Sequence, residues 1–489
     1  MDIQKTTLNM DCYVGTYYAQ TRIESALPLP QGKSAKKVLS TRADVNVQTA
    51  VCLAGGVDVA GAIALALVVE GDDGGLFAFE AVADYTHRIA DAALENGMQA
   101  HVTAQLFSCR CTADEGGLRL VASITLTAVV MRNEVVEAIA SLVGDKNLQQ
   151  KQTELTFSKR VLLGAKSIKL REEAQIPSSS NLLFARGAAE LTETAPTKDG
   201  TAVSGTLALE LLLICDDGGL KKQVLSFPFN DIVQSELSAE RHSTVSVTQL
   251  VVRSVDSAEG LLEIDATLSV SIYGILKTTT TLLCDAYDLD GSFATETHSH
   301  RFIQFCCTHQ RSFIQSEQLV VPNHLPEVYM PLYGTAQAAI TAVHRDENGL
   351  SVDGVLQLTA VYQCDGGLIH SFTEELPLSF ELDCNCDIIV PCITVGNVRL
   401  SGSGRLMEAQ VALLLNAECY KECFVNVVDD LRHTSSDDVG SGILLYYADR
   451  GETLFDIGKR FLVPISVIMD FNPDIKEPLC DGDRIVLIR

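Results

Sequence analysis

One motif is written three times along this chain, and the repetition constrains the fold more than any other feature. Gly61-Ala62-Ile63-Ala64-Leu65 leads through apolar residues to Asp72-Asp73-Gly74-Gly75-Leu76. Gly205-Thr206-Leu207-Ala208-Leu209 leads likewise to Asp216-Asp217-Gly218-Gly219-Leu220, and Gly354-Val355-Leu356-Gln357-Leu358 to Asp365-Gly366-Gly367-Leu368. The spans from first glycine to last leucine differ by at most one residue, the mark of an internal structural repeat. Asp-Gly and Gly-Gly supply the positive φ angles of two-residue hairpin turns, and the apolar β-formers on either side read as strands.

The match extends beyond the hairpin. Each copy opens on prolines (Pro28 and Pro30, Ile176-Pro177, Pro322 and Pro326), and each closes on a long strand, over 118–132, 261–273 and 406–419. Phe227-Pro228-Phe229 in copy two and residues 376–380 in copy three form a short apolar segment between hairpin and strand. Across residues 262–272 apolar and polar side chains alternate, which predicts an antiparallel strand with one face buried. Many strands, frequent turn signals and few helical patterns predict a mainly β chain of three tandem β-sandwich-like repeats. Residues 135–143 read as helical or irregular connection between copies. The spacing predicts independently folding β-domains over 1–150, 151–300 and 301–432, then a polar, flexible linker over 433–442.

A chain of 489 residues with 47% hydrophobic and 20% charged side chains can bury several cores, so global disorder is excluded. The net charge of −26 repels phosphate backbones and anionic lipids, and predicts neither nucleic-acid binding nor membrane-surface binding. The most basic stretch, 166–171, alternates with apolar residues and reads as the wet face of a strand. No apolar run resembles a signal peptide or reaches the length needed to span a bilayer, so the expected location is cytoplasmic. In that compartment the 15 cysteines read as reduced thiols, many of them buried, with no disulfides.

Residues 443–489 predict a small module of their own, in the order β-α-α-β. A strand over 443–447 turns at Arg450-Gly451-Glu452 into a helix N-capped by Thr453, with Leu454, Ile457 and Phe461 on one face. A second helix from Pro464 carries Ile465, Ile468 and Met469, and stops at Asn472-Pro473. Leu479-Cys480-Asp481-Gly482-Asp483 turns into a closing strand, 484–488.

This tail resembles the LysM family through Gly451-Glu452-Thr453-Leu454, Ile457, Phe461, Asn472-Pro473, and Leu479 with Gly482-Asp483. In that family, backbone groups of two loops form a shallow groove for N-acetyl sugars. The resemblance places the groove at Gly451, Glu452, Thr453 and Leu454 facing Asn472, Pro473, Asp474 and Ile475, with Gly482 in the closing turn. Three positions depart from the family: Ala448 replaces a β-branched residue, Glu452 an Asp, and Gly458 an Ala. The upstream repeats resemble the SPOCS domain of spore-coat proteins, through the Gly-x-Leu-x-Leu to Gly-Gly-Leu block and Phe227-Pro228-Phe229. Three SPOCS-like repeats followed by one LysM module are the architecture of a family of endospore coat and envelope morphogenesis proteins.

What that resemblance implies is a non-enzymatic scaffold of coat assembly in the mother cell. Its LysM module would recruit a protein partner, the coat's basement-layer ATPase, to the forespore surface, alongside other coat proteins. The alternative is a peptidoglycan or N-acetylglucosamine reader. Trp is absent, and the groove loops carry no aromatic except the neighbouring Phe455 and Phe471, which read as module core; this favours protein over sugar.

No catalytic constellation stands out: no phosphate-binding loop, no Gly-x-Ser-x-Gly and no His-Glu-x-x-His. Cys109-x-Cys111, Cys306-Cys307 and Cys384-x-Cys386 are closer than structural zinc pairs, and period-2 spacing reads as one face of a strand. His298, His300 and His309 read as solvated. Asp72-Asp73 and Asp216-Asp217 are turn residues. Neither a cofactor nor a metal is expected.

Overall fold

Each copy of the repeat folds into six strands that form two three-stranded antiparallel sheets. The computed structural model describes residues 2–488 apart from 115, 145–146, 217–218, 237–240, 256–259, 347–348 and 435–441. In the first copy, β1 (Asp2–Pro28), β5 (Gln99–Asp114) and β6 (Gly117–Val143) form one sheet with β6 central. Strands β2 (Lys37–Leu53), β3 (Gly56–Glu70) and β4 (Leu76–Ala90) form the other, with β3 central. The second copy repeats this with β7 (Leu148–Gln175), β11 (Arg241–Ser254) and β12 (Leu261–Asp288) against β8 (Ser180–Thr197), β9 (Gly200–Cys215) and β10 (Leu220–Val233). The third uses β13 (Phe293–Val320), β17 (Ile388–Ser403) and β18 (Leu406–His433) against β14 (Val328–Asp346), β15 (Gly349–Cys364) and β16 (Ile369–Leu382). The chain is mainly β, with only two short helices among the described residues. None of its described helices is long and apolar enough to cross a membrane.

The two sheets of a copy face each other across a dry core. In the first, Ile63, Leu65 and Leu67 of β3 meet Leu120, Ile124 and Leu126 of β6, all fully buried. The repeated glycine has a packing reason. Gly61 lies opposite a β-bulge between Val47 and Thr49, and a Cβ there would lie 2.1 Å from the Asn46 carbonyl. Gly205 meets the Glu190 carbonyl at 2.4 Å beside the bulge between Leu191 and Glu193, so both glycines let a bulged strand pass close by. The hairpin turn is longer than expected. Gly71 and Gly75 close the ladder, leaving three residues, with Gly74 at φ 77° and the Asp73 carboxylate accepting from the Gly75 amide at 2.9 Å.

Three expectations are corrected. Residues 135–143 are neither helical nor irregular: β6 runs straight through them, because Asp2 to Tyr13 of β1 pair with Met131 to Val143. The expected boundary at 300/301 falls inside β13, which pairs with β18 from Phe293 onward, so copy three begins earlier. The copies also do not have wholly separate cores. Beyond each sandwich the paired strands β1/β6, β7/β12 and β13/β18 continue as two-stranded ribbons, and the ribbons pack on one another. Leu8, Met10 and Val136 share a cluster with Phe157 and Leu282 of the second copy and Phe302 and Val427 of the third. A second shared cluster joins Leu39 and Val68, Leu212 and Leu220, and Tyr333 and Val361. There Val68, Leu212 and Val361 lie at corresponding registers, opposite Ser40, Phe184 and Tyr333. The copies therefore gather around a pseudo-threefold axis. The linker expected at 433–442 lies mostly outside the described residues, although Thr434 is held by the Ser292 and Gly291 carbonyls at 3.0 and 2.6 Å.

Candidate functional site

The tail follows the expected order: β19 (Ile443–Tyr447), α1 (Leu454–Phe461), α2 (Ile465–Phe471) and β20 (Arg484–Ile488). Thr453 caps α1 in a capping box, its hydroxyl accepting from the Asp456 amide while the Asp456 carboxylate accepts from the Thr453 amide. Leu454, Ile457, Val463, Ile468, Leu479, Ile485 and Leu487 form the core between the helices and the two-stranded sheet.

The nine residues expected to line a groove separate into two groups. Several hold the module together. The Glu452 carboxylate accepts from the Asp449 amide at 2.9 Å, from Tyr446, and from Arg460 at 2.6 Å, and the Asp449 amide foremost holds it below the ordinary glutamate range. Asn472 clamps α2 to β20, donating to the Ile468 and Val486 carbonyls and accepting from the Val486 amide. Leu454 is buried, and its amide donates to the Glu477 carboxylate at 2.6 Å, which ties the two loops directly. Ile475 packs partly against the core. Gly451 and Gly482 take positive φ, 91° and 84°, as their turns require. Pro473 and Asp474, with the backbone of Gly451, remain exposed.

The two phenylalanines read as module core do different things. Phe471 is 52% exposed at the end of α2. Phe455 is buried, but against the second repeat: its ring meets Tyr287 of β12 edge-on at 5.2 Å. The Tyr287 hydroxyl donates to the Val463 carbonyl at 2.8 Å, and Lys459 grips both oxygens of Asp285 at 2.6 and 2.7 Å. Burial pushes the Tyr287 phenol up to about 12, so it stays a neutral donor. Gly458, a departure from the LysM pattern, faces this contact; a Cβ there would lie 2.4 Å from the Tyr287 hydroxyl. The module is docked on the second repeat rather than free of it.

The outer face of the small sheet is apolar. β19 pairs only with β20 among the described residues, and Ile443, Leu445 and Tyr447 alternate onto the face away from the core, Ile443 being 78% exposed. Met469 and Phe471 add further exposed apolar surface on α2.

Elsewhere, a cavity of about 600 Å³ takes its lining from all three copies, including Asp11, Arg160, His242, Tyr273, Glu418 and Tyr420. Its charges are internally matched: Arg160 pairs with Glu418 at 2.7 Å and lies 3.7 Å above the Tyr273 ring. No sequence signal pointed to it, because its walls come from segments far apart in the chain. His298 and His300 do not converge; they bond Asp429 at 2.7 Å and Glu134 at 3.3 Å. Cys109 and Cys111 do share one strand face, as expected. The other cysteine pairs do not fit that reading: Cys384 and Cys386 lie in the connection between β16 and β17, where they approach Cys419. No protein-family model, curated protein or solved structure matches this chain.

Proposed function

We propose that this protein is a non-enzymatic scaffold of the SPOCS-plus-LysM kind, acting in endospore coat assembly at the forespore surface. Its C-terminal module recruits a protein partner, the basement-layer ATPase of the coat. The observation that carries the protein-docking part is the exposed apolar strip Ile443, Leu445 and Tyr447, beside a strand edge unpaired among the described residues. A contiguous apolar patch with free backbone donors and acceptors suits an extended segment of a partner, which can add a strand and seat alternate side chains. The groove is less suited to an N-acetyl sugar, since the Leu454 amide already donates to Glu477 and the loop side chains are engaged within the module. The coat assignment rests on the resemblance of the repeats and the tail together.

The test is a titration of the full chain with the purified ATPase and, separately, with chitin oligomers. Truncating a central anchor, Leu445→Ala or Tyr447→Ala, should weaken partner binding by roughly 5- to 150-fold, or about 1–3 kcal/mol. Asp474→Lys and Ile475→Arg probe the groove. Loss of partner binding only in the groove variants would move the site there, and micromolar binding of chitin oligomers with no partner affinity would replace this reading by the glycan one.

A further inference from the structure

The third repeat differs from the other two at one place in its core, and the difference is written in cysteine. All three copies carry a β-bulge at the same register of the long ribbon. Val14 is the extra residue in β1, Leu163 in β7 and Cys306 in β13. After the bulge, Gly15 pairs with Val130 in the first copy and Gly164 with Ile272 in the second, whereas Cys307 pairs with Cys419 in the third. Apolar or small residues therefore satisfy this position twice, and packing alone does not call for sulfur.

Two more thiols arrive from a different segment. The connection between β16 and β17 is fixed beside β18 by the Asp387 amide donating to the Tyr420 carbonyl at 2.9 Å, and by its carboxylate accepting from the Glu422 amide at 2.8 Å. This brings Cys384 Sγ to 3.5 Å from Cys419 Sγ. The sulfurs of Cys384, Cys386 and Cys419 all lie within 4.8 Å of one another, and so do the ligand atoms of Cys307, His309 and Cys419. Cys307 reaches the cluster through Cys419, whose sulfur the two groups share.

We propose that Cys307, Cys384, Cys386 and Cys419 form a structural tetrathiolate site for Zn(II). With Zn–S near 2.3 Å, a tetrahedral site sets its sulfurs about 3.8 Å apart; the Cys384–Cys419 separation of 3.5 Å already fits, and Cys307, within 4.8 Å of Cys419, would move in as the fourth ligand. Three mutually close sulfurs, with a fourth at Cys307 beside Cys419 and no carboxylate in either group, form a soft donor set, suited to zinc and not to magnesium or calcium. Binding converts four thiols to thiolates and releases their four protons to solvent, which leaves the metal–ligand unit with a net charge of −2. Cys386 and Cys419 are buried while Cys307 and Cys384 are part-exposed, which gives the ion a short way in. The bound ion would fasten the β16–β17 connection to the bulge of the third ribbon.

The full chain, purified under reducing conditions and stripped with chelator, should take back one Zn(II) per chain. With Co(II) it should show thiolate-to-cobalt charge transfer and the intense visible bands of tetrahedral coordination. Cys384→Ser and Cys386→Ser should abolish both readouts. Cys419→Val, which installs the residue of the first repeat, should lose the ion while its circular dichroism stays native; Cys109→Ser, at a buried thiol outside the cluster, should keep the ion. Failure of the wild-type chain to retain zinc, a cobalt spectrum untouched by Cys384→Ser, or a Cys384–Cys419 disulfide in place of metal under reducing conditions would each overturn the proposal.

Discussion

Replacing Tyr287 should release the C-terminal module from the second repeat, and the geometry sets the size of the effect. Tyr287 is 2% exposed, donates to the Val463 carbonyl at 2.8 Å and meets the Phe455 ring at 5.2 Å. Tyr287→Phe keeps the ring contact but leaves that carbonyl without its donor, a loss of about 1–3 kcal/mol. Tyr287→Ala also opens a cavity, and the combined cost is about 3–5 kcal/mol. The Lys459–Asp285 pair, partly exposed, adds no more than about 1 kcal/mol. Two readouts follow docking. A zero-length carbodiimide cross-link should join Lys459 to Asp285 in the wild type, and hydrogen exchange at the β12 end should be slow. Tyr287→Phe should speed that exchange by roughly 5- to 150-fold, and Tyr287→Ala should also remove the cross-link. Gly458→Ala, approaching the same contact from the module side, should give the same loosening without touching β12. If Tyr287→Ala keeps both the cross-link and the slow exchange, the docked arrangement is wrong.

Other outcomes follow from the same structure. Phe302→Ala, at a position 1% exposed where its ring lies 5.1 Å from Phe157 of the neighbouring repeat, should cost about 3–5 kcal/mol; calorimetry should show all three repeats unfolding together, whereas loss of the third repeat alone would restore independent domains. Gly61→Ala and Gly205→Ala, each driving a methyl into a facing carbonyl, should lower thermal stability more than Gly32→Ala, where a Cβ meets nothing within 4 Å and only the positive φ opposes it. Burial, with Arg160 nearby, holds the His242 imidazole below its ordinary value, and burial does the same for His370. The unfolded chain therefore takes up protons that the folded one resists, so their contribution is present above about pH 6.5 and is lost as pH falls below it; His242→Gln with His370→Gln should flatten that part of a stability-against-pH curve.

Legibility in the sequence followed the range of the signal. The strands of the threefold hairpin block, the alternation over 262–272 and the βααβ tail are local patterns and appear as expected, while the first hairpin's turn is one residue longer. The ribbons were half-read: residues 135–143 look irregular by themselves because their pairing partner, the start of β1, lies more than a hundred residues away in the chain. The shared core at Leu8, Phe157 and Phe302 has the same origin, since no local pattern says that three distant strands meet. In the tail, Gly458 stood out as a departure from the LysM pattern, and its meaning became visible only with Tyr287 in place. The cysteine pairs were read by spacing within a strand, but Cys384-x-Cys386 belongs to a loop whose position is set by Asp387 hydrogen bonds to β18. Of the residues expected at the groove, Glu452 and Asn472 spend their polar atoms on the module itself, a use that no local pattern reveals.

The proposal that the C-terminal module brings this protein to its place by binding a protein partner is tested most directly by localisation in sporulating cells. A fluorescent fusion of the full chain should gather at the forespore surface. The Leu445→Arg, Tyr447→Asp double variant, with native circular dichroism and an intact Lys459–Asp285 cross-link, should stay diffuse. Normal forespore localisation of that variant, or of the chain lacking residues 443–489, would contradict the account.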